Sequence, residues 1–341
     1  MAWLYQDKWV KGQTIQKGQR ECESRYEAIK QVCSQFTRPF SVLDIGANAG
    51  YFSFRLATDF PNATVIMIEG NDDEAHLLEL CHKNNLPNIV YLNKKLSLAE
   101  LQALADCEFF DVVLALSVIH HFDRSLNDAL DVFTKLGENL IIEIPLAGEH
   151  AHNQNLIDTE PIHIQKYSPH LLMETKSCVG GVHRPTYLIQ CNKTRLVKSY
   201  LTGGRKGSFS EIQYSLDSLS IHSPRKKQTL PFIPGINFFT FAAYNGVYPT
   251  KTVITKMLSD MDVTAHEDVR PYNLVVTSNS IIPIDHKDDM SWEKTPPEKH
   301  KARIIWLWEK GYVAELTSFN YWQDVIFGRL KEGVLTNEKC L

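Results

Sequence analysis

A chain of 341 residues, 43% hydrophobic and 22% charged, is long enough to bury a substantial core and, at roughly 150 residues per domain, to hold two. Its formal net charge of -4 argues against a broad basic face of the kind that neutralises nucleic-acid phosphates, though a local basic patch is compatible with it. No stretch approaches the ~20 apolar residues of a membrane span, and the N-terminus lacks the apolar run of a secretory signal. The seven cysteines, Cys22, Cys33, Cys81, Cys107, Cys178, Cys191 and Cys340, show no C-x-x-C spacing and no ligand-like pairing with histidine. That pattern favours reduced thiols over a disulfide framework or a zinc site, and the expected location is cytoplasmic.

Residues 1–20, rich in Trp, Tyr, Gln and Lys, read as an arm or cover rather than a core element. From Glu21 to Phe36, apolar Tyr26, Ile29, Cys33 and Phe36 recur at steps of three or four, which predicts an amphipathic helix ended by Arg38-Pro39. Arg20, Glu21 and Arg25 at its start read either as solvated charge or as groups that close over a ligand. Ser41 to Asp44 is a short apolar strand, followed by Gly46, Ala49 and Gly50 and the amphipathic run Tyr51 to Phe60. Glycines at such a turn let the backbone approach a ligand that a Cβ would obstruct, and the following helix presents its N-terminus to it. Glu69 ends the next strand, from Thr64, at the place where an acid can bind both hydroxyls of a ribose.

Further strands over 89–92, 111–116 and 139–144 alternate with helical patterns over 73–84, 98–105 and 125–136. This predicts a doubly wound parallel sheet, covered on both faces, with ligands at the carboxyl ends of its strands. Those ends carry Asp44, Glu69, Asn93 to Ser97 and Ser117 to His121. Glu143, inside a strand, reads as a satisfied polar residue, and His150, His152 and His163 lie in a polar linker that lids the acceptor side.

Asp44-Ile-Gly-Ala-Asn-Ala-Gly50, Glu69 and Phe110-Asp-Val-Val-Leu-Ala-Leu-Ser-Val-Ile-His-His-Phe122 together resemble the class I S-adenosylmethionine-dependent methyltransferases, over about residues 20 to 200. The absence of a Gly-x-Gly-x-x-Gly pattern favours the methyl donor over a nicotinamide. The resemblance implies that Asp44, Gly46, Asn48 and Gly50 line the methionine and ribose part of the cofactor and that Glu69 holds the ribose. It also implies that Leu96 in the 95–97 loop approaches the adenine, that Leu116 and Ser117 floor the reaction centre, and that Arg25 reaches the cofactor carboxylate. His120 and His121 are the candidates for a base; the other reading makes both structural residues of the junction.

In the second half, Pro185 to Ile189 and Arg195 to Leu201 read as a hairpin that closes the sheet. The basic loops 203–207 and 223–228 mark a domain junction. Ala265-His-Glu-Asp-Val-Arg-Pro-Tyr-Asn-Leu-Val-Val276, followed by Ile281-Ile-Pro-Ile-Asp-His286, resembles the catalytic loop of kinase-like folds. By that resemblance Asp268 is the base for a substrate hydroxyl, with Asn273 and Asp285 as magnesium ligands. His286-Lys287 replaces the usual Phe-Gly. Lys198 on a strand and Glu211, opening a helix expected over 208–219, stand where the phosphate-binding lysine and its carboxylate partner belong, without a preceding glycine loop. The tail from Ala302, with Trp306, Trp308, Tyr312, Tyr321 and Trp322, reads as a helical cover or an interaction surface. The arrangement resembles bifunctional enzymes that phosphorylate and methylate the terminal sugar of bacterial surface polysaccharides, without their long coiled coil.

The expectation is an α/β protein. It has an N-terminal arm (1–20), a Rossmann-like class I methyltransferase domain (21–201), a linker or reduced N-lobe (202–230), and a smaller α+β kinase-like C-lobe with its tail (231–341). Its cofactor is S-adenosylmethionine, joined by ATP and Mg2+ if the kinase-like part is active. The expected acceptor is the oxygen of a small molecule, sugar, sugar phosphate or glycan end. The alternatives are a nucleic-acid methyltransferase, supported by the basic loops, and a non-catalytic scaffold.

Overall fold

In the computed structural model, which describes residues 4–70, 74–122, 125–149, 154–159, 161–178, 181–191, 195–198, 211–214, 218–222, 227–231, 233–263, 269–284 and 296–326, a hairpin opens the chain. Its strands β1 (Lys8–Val10) and β2 (Gln13–Gln16) precede helix α1 (Glu23–Cys33). Strands and helices then alternate: β3 (Phe40–Ile45), α2 (Tyr51–Asp59), β4 (Ala63–Glu69), α3 (Glu74–Asn84), β5 (Ile89–Asn93), α4 (Leu98–Cys107), β6 (Phe110–Ala115), α5 (Leu126–Phe133) and β7 (Gly137–Glu143). A short α6 (Gln154–Thr159) leads into the antiparallel pair β8 (His170–Lys176) and β9 (His183–Gln190).

The remainder holds β10 (Arg195–Lys198), β11 (Glu211–Tyr214), β12 (Ser218–His222), β13 (Lys227–Pro231), β14 (Ile236–Asn237), α7 (Phe238–Ala243) and β15 (Gly246–Tyr248). After these come α8 (Lys251–Asp260), β16 (Leu274–Val276), β17 (Ile281–Pro283), α9 (Pro297–Lys310), α10 (Val313–Leu316) and α11 (Phe319–Ile326). Among the described residues no helix is long and apolar enough to cross a membrane.

The protein is mixed α/β, built on an eight-stranded sheet in the order β15-β5-β4-β3-β6-β7-β9-β8. Strands β5, β4, β3, β6 and β7 run parallel, and β9, β8 and β15 are antiparallel additions at its edges. The alternation of the strands sorts their side chains onto two faces. Leu43, Ile45, Ile66, Ile68, Val113 and Ala115 join one core with α4, α5 and the C-terminal helices. Val42, Val65, Met67, Val112 and Leu114 join the other with α1, α2 and α3. Because both faces are covered, these strands are apolar through most of their length, with single polar residues such as Asp44 and Asp111 among them. Asp44, Glu69 and Glu143 follow the second set in register, so all three point to the face that α1 and α2 cover.

Two sequence expectations are corrected. The hairpin closing the sheet pairs β9 with β8, not 185–189 with 195–201. Strand β8, largely exposed at the sheet edge, carries too many polar residues to stand out as an apolar run. Residues 195–198 belong instead to the four-stranded antiparallel sheet β10-β11-β12-β13. The helix expected over 208–219 is absent from its described residues: Glu211–Tyr214 is a strand and Ser218 opens the next. Glu-Ile-Gln-Tyr and Ser-Leu-Ser-Ile-His alternate polar and apolar residues, and that period of two prevails over the helical reading.

A third sheet, β14-β16-β17, supports the C-terminal helices. Phe238 and Phe241 of α7 pack on Trp308 of α9, with ring centroids 5.7 and 5.8 Å apart. Trp308 and Trp322 are buried and Trp306 is exposed, so the aromatic tail is chiefly a cover. Strand β15, from the C-terminal half, pairs with β5 at the edge of the large sheet, and the core on that side is continuous between the two halves.

Candidate functional site

The turn between β3 and α2 repeats a left-handed conformation: φ is 72° at Gly46, 53° at Asn48 and 71° at Gly50. Only glycine, and asparagine at some cost, adopts this region readily. Gly50 also stands where an added Cβ would lie 2.6 Å from the ring of Phe54. The Gly46 amide donates to the Ile68 carbonyl at 2.9 Å, which ties the turn to the end of β4. There the Asn48 amide donates to Glu69 Oε2 and the Gly70 amide to Glu69 Oε1, each at 2.9 Å. Two backbone donors thus hold the half-buried Glu69 carboxylate against the glycine turn.

Asp44, 2% exposed, accepts from the Ser53 hydroxyl of α2 at 2.7 Å. Burial pushes its carboxyl up to about 7, against the lowering effect of Ser53 and with a further push from the charge of Glu69. The loop after β5 lies against the same strand end, where the Lys94 amide donates to the Glu69 carbonyl at 3.1 Å. Leu96 in that loop is partly buried on the core. Ser97 caps α4 in a capping box with Glu100.

Beyond β6 the chain turns through Ser117, whose φ of 57° is uncommon for a residue with a Cβ. Val118 packs against the turn, since a Cβ at Gly46 would meet it at 2.9 Å. A single 3₁₀ turn, Ile119–His121, follows. It buries His120 and exposes His121, with the two rings 4.4 Å apart. Of the two imidazoles that the sequence offers, His120 is thus the one withdrawn from solvent.

Glu143 is the satisfied polar residue that the sequence suggests, but the arginines that satisfy it were not legible there. Glu143 accepts from Arg20 Nη2 at 2.6 Å, from Arg25 Nη1 at 3.1 Å, from Arg184 Nη1 at 3.4 Å and from the Ser117 hydroxyl. Arg184 Nη1 also donates to Ser117 Oγ at 2.9 Å, and Arg184 Nε donates to Glu149. Arg20, Arg25 and Arg184 are each at most 4% exposed, so the solvated reading of the charges at 20 and 25 is corrected. Burial alone would push the Glu143 carboxyl up, but Arg25, Arg20 and the Ser117 hydroxyl hold it well below the usual carboxylate range. Arg25 Nε donates to the Glu21 carbonyl, and its guanidinium packs 5.0 Å from the centre of the Phe52 ring. The guanidinium expected at a cofactor carboxylate is therefore turned toward Glu143. The sequence signals for this cluster are two charged residues inside strands, Glu143 in β7 and Arg184 in β9.

In the C-terminal half, Asn273 is buried in the 3₁₀ turn Pro271–Asn273. Its amide donates to the Arg270 carbonyl at 2.9 Å and its carbonyl accepts from the Ile284 amide at 2.7 Å. The turn is followed by the antiparallel pair β16 and β17, as the sequence predicts. Asp268 and Asp285 lie outside the described residues, as do His150, His152 and the 203–207 loop. Lys198 and Glu211 are Cα partners across β10 and β11, with Glu211 on a strand rather than a helix. Among the described residues no group of three or more His, Cys, Asp or Glu side chains is placed to hold a metal ion.

No protein-family model matches the chain, and no curated protein does. Among solved structures it is similar to the bifunctional kinase-methyltransferase WbdD, at 16% identity over 99% of this chain and 95% of the other, with a TM-score of 0.47. WbdD crystallised with a kinase inhibitor gives 16% identity over 79% and 76%, with a TM-score of 0.44. The N-terminal domain of EvdMO1, solved in the presence of SAH and D-fucose, gives 13% identity over 56% and 92%, with a TM-score of 0.42.

Proposed function

We propose that the large sheet carries an S-adenosylmethionine-dependent methyltransferase acting on the oxygen of a sugar, sugar phosphate or glycan end. The observation that carries this reading is the Glu69 carboxylate, fixed by the Asn48 and Gly70 amides beside a turn with three left-handed residues. The residues fit an adenosyl group. A pre-oriented acid suits a pair of ribose hydroxyls, and a turn of this shape keeps side chains out of the ligand's way.

Asp44 and the Gly46 to Gly50 turn would line the cofactor, Glu69 would hold its ribose, and Leu96 would approach its adenine. When bound, the cofactor supplies a methyl group on an activated sulfonium, so that much of the catalysis is positioning of the acceptor. Leu116 and Ser117 would floor the acceptor site. His120, buried at the same strand end, would take the proton of the acceptor hydroxyl. The C-terminal part is read as a kinase-like fold, with Asp268, Asn273 and Asp285 in the roles of base and magnesium ligands for ATP.

The test is calorimetric titration of the full chain with S-adenosylhomocysteine. Wild type is expected to bind, and Glu69→Ala to weaken binding by at least about tenfold, as expected when a charged hydrogen-bonding partner is lost. Absence of affinity in wild type, or equal affinity in Glu69→Ala, would refute the reading.

A further inference from the structure

Antiparallel register places four polar side chains on one face of the sheet. Glu143 stands opposite Thr186, and Arg184 opposite Thr175. Arg184 and Thr186 are two apart on β9, so all four project to the same side. Arg20 lies across them, donating to Glu143 on β7 and to the Lys176 carbonyl on β8. Arg20, Arg184, Thr175 and Thr186 are each at least nine-tenths buried.

Two features of this group call for a ligand. Its polar atoms are incompletely matched: among the described residues Arg20 Nε and the hydroxyls of Thr175 and Thr186 are buried without a hydrogen-bond partner. Buried donors left this way are costly. Its charge is unbalanced as well: among the described residues the ion pairs of Arg20, Arg25 and Arg184 reach two carboxylates, those of Glu143 and Glu149, and the Arg20 guanidinium also meets the Tyr5 side chain. A buried, uncompensated positive charge is far more costly than a paired one. A water molecule would supply hydrogen bonds but leave the charge. One anionic group with two oxygens supplies both.

Strand order locates that anion. Glu69 ends β4 on one side of the glycine turn, and β6, β7 and β9 follow on the other. At ~4.8 Å per strand, β9 lies about 14 Å from β3. The group is thus on the acceptor side, and Ser117, bonded to both Glu143 and Arg184, connects it to the end of β6.

We infer that the acceptor carries a single carboxylate, as in a uronic acid or other hydroxy acid, received by Arg20 Nε and the Thr175 and Thr186 hydroxyls. This rests on the methyltransferase reading and narrows its acceptor class. One excess charge matches a monoanion better than the dianion of a phosphate monoester.

The full chain, saturated with S-adenosylhomocysteine, is titrated with glucuronate, galacturonate and mannuronate, with their parent sugars, and with glucose 6-phosphate. At least one uronate is expected to bind tenfold or more tighter than its parent sugar and than the phosphate. Thr186→Val and Thr175→Val should each weaken that binding at least fivefold while leaving S-adenosylhomocysteine affinity unchanged. Binding of no uronate, parity with the neutral sugars, preference for the phosphate, or undiminished binding in both variants overturns the inference. Failure of wild type to bind S-adenosylhomocysteine, read in the preceding titration, would instead sink the cofactor reading.

Discussion

Glu143→Gln isolates the charge of the buried carboxylate while keeping its size and one acceptor oxygen. Glu143 is fully buried and is paired with three guanidiniums and a hydroxyl. Removing one partner of a buried ion pair typically costs about 3–5 kcal/mol, because the opposite charge is left in a medium that cannot solvate it. Glutamine keeps part of the hydrogen bonding, so the lower end of that range, about 3 kcal/mol, is expected here. At ~2.1 cal/mol/K per residue a chain of 341 residues unfolds with an entropy of about 0.7 kcal/mol/K, so a loss of about 3 kcal/mol lowers the melting temperature by about 4 °C. A coupling of about 1–3 kcal/mol should appear when the Glu143→Gln and Arg20→Gln effects are compared with the double variant.

The same variant tests the electrostatics by pH. In the fold, the Glu143 carboxyl is held at about 2, below its ordinary 4.5. A lowered acid stabilises the fold fully above its ordinary value and loses that contribution as the pH falls through the lowered one. Wild type should therefore lose stability relative to Glu143→Gln between about pH 4.5 and pH 2. Thermal scans of tryptophan fluorescence across that range measure both effects. A melting temperature unchanged by the substitution, or parallel acid profiles, would refute a buried charge network at this site.

Asp44 behaves in the opposite sense. Its carboxyl is raised by burial from 3.8 to about 7, so its contribution is complete below 3.8 and is lost as the pH rises through about 7. Asp44→Asn should lack that decline, and the same scans should show the variant gaining on wild type from pH 4 to pH 8; no relative gain would argue against a buried acid there. His120→Gln is expected to lower methyl transfer about a hundredfold with S-adenosylhomocysteine affinity unchanged, and the exposed His121→Gln to change the rate by about twofold or less. An unchanged rate in both would remove the base from the proposed mechanism. Magnesium-dependent ATP binding to the full chain, followed calorimetrically, should be lost in Asp285→Ala; absence of binding in wild type would end the kinase reading.

The doubly wound half was legible because its physics is local. A strand buried on both faces is apolar on both, as Val42-Leu43 and Val112-Val113 are, and glycine turns and helix caps mark where such strands stop. The antiparallel parts were less legible for a related reason. Strand β8 sits at an edge and is exposed along most of its length, so its apolar run is only Leu171 to Met173 between polar residues, too short to separate from a loop. The region around Glu211 failed because a short polar-apolar alternation offers little to separate a strand from one side of a helix.

The candidate site divides in the same way. Asp44, the glycine turn and Glu69 lie within one strand-turn-helix unit and the strand beside it, so their spacing along the chain reports their proximity in space. The group around Glu143 has no such spacing: Arg20, Ser117, Glu143 and Arg184 come from four segments that meet only once the sheet is assembled. An arginine at the start of a helix gives no sign in sequence of whether it faces water or a carboxylate more than a hundred residues away. The asymmetry bears on function. Residues placed by a local unit suit a ligand shared by many proteins of such a fold, whereas those gathered across β6, β7, β8 and β9 depend on this chain's own sheet order. Selectivity for the acceptor is therefore expected to reside with Arg20, Arg184, Thr175 and Thr186, and substitutions there should change which acceptor is taken before they change cofactor affinity.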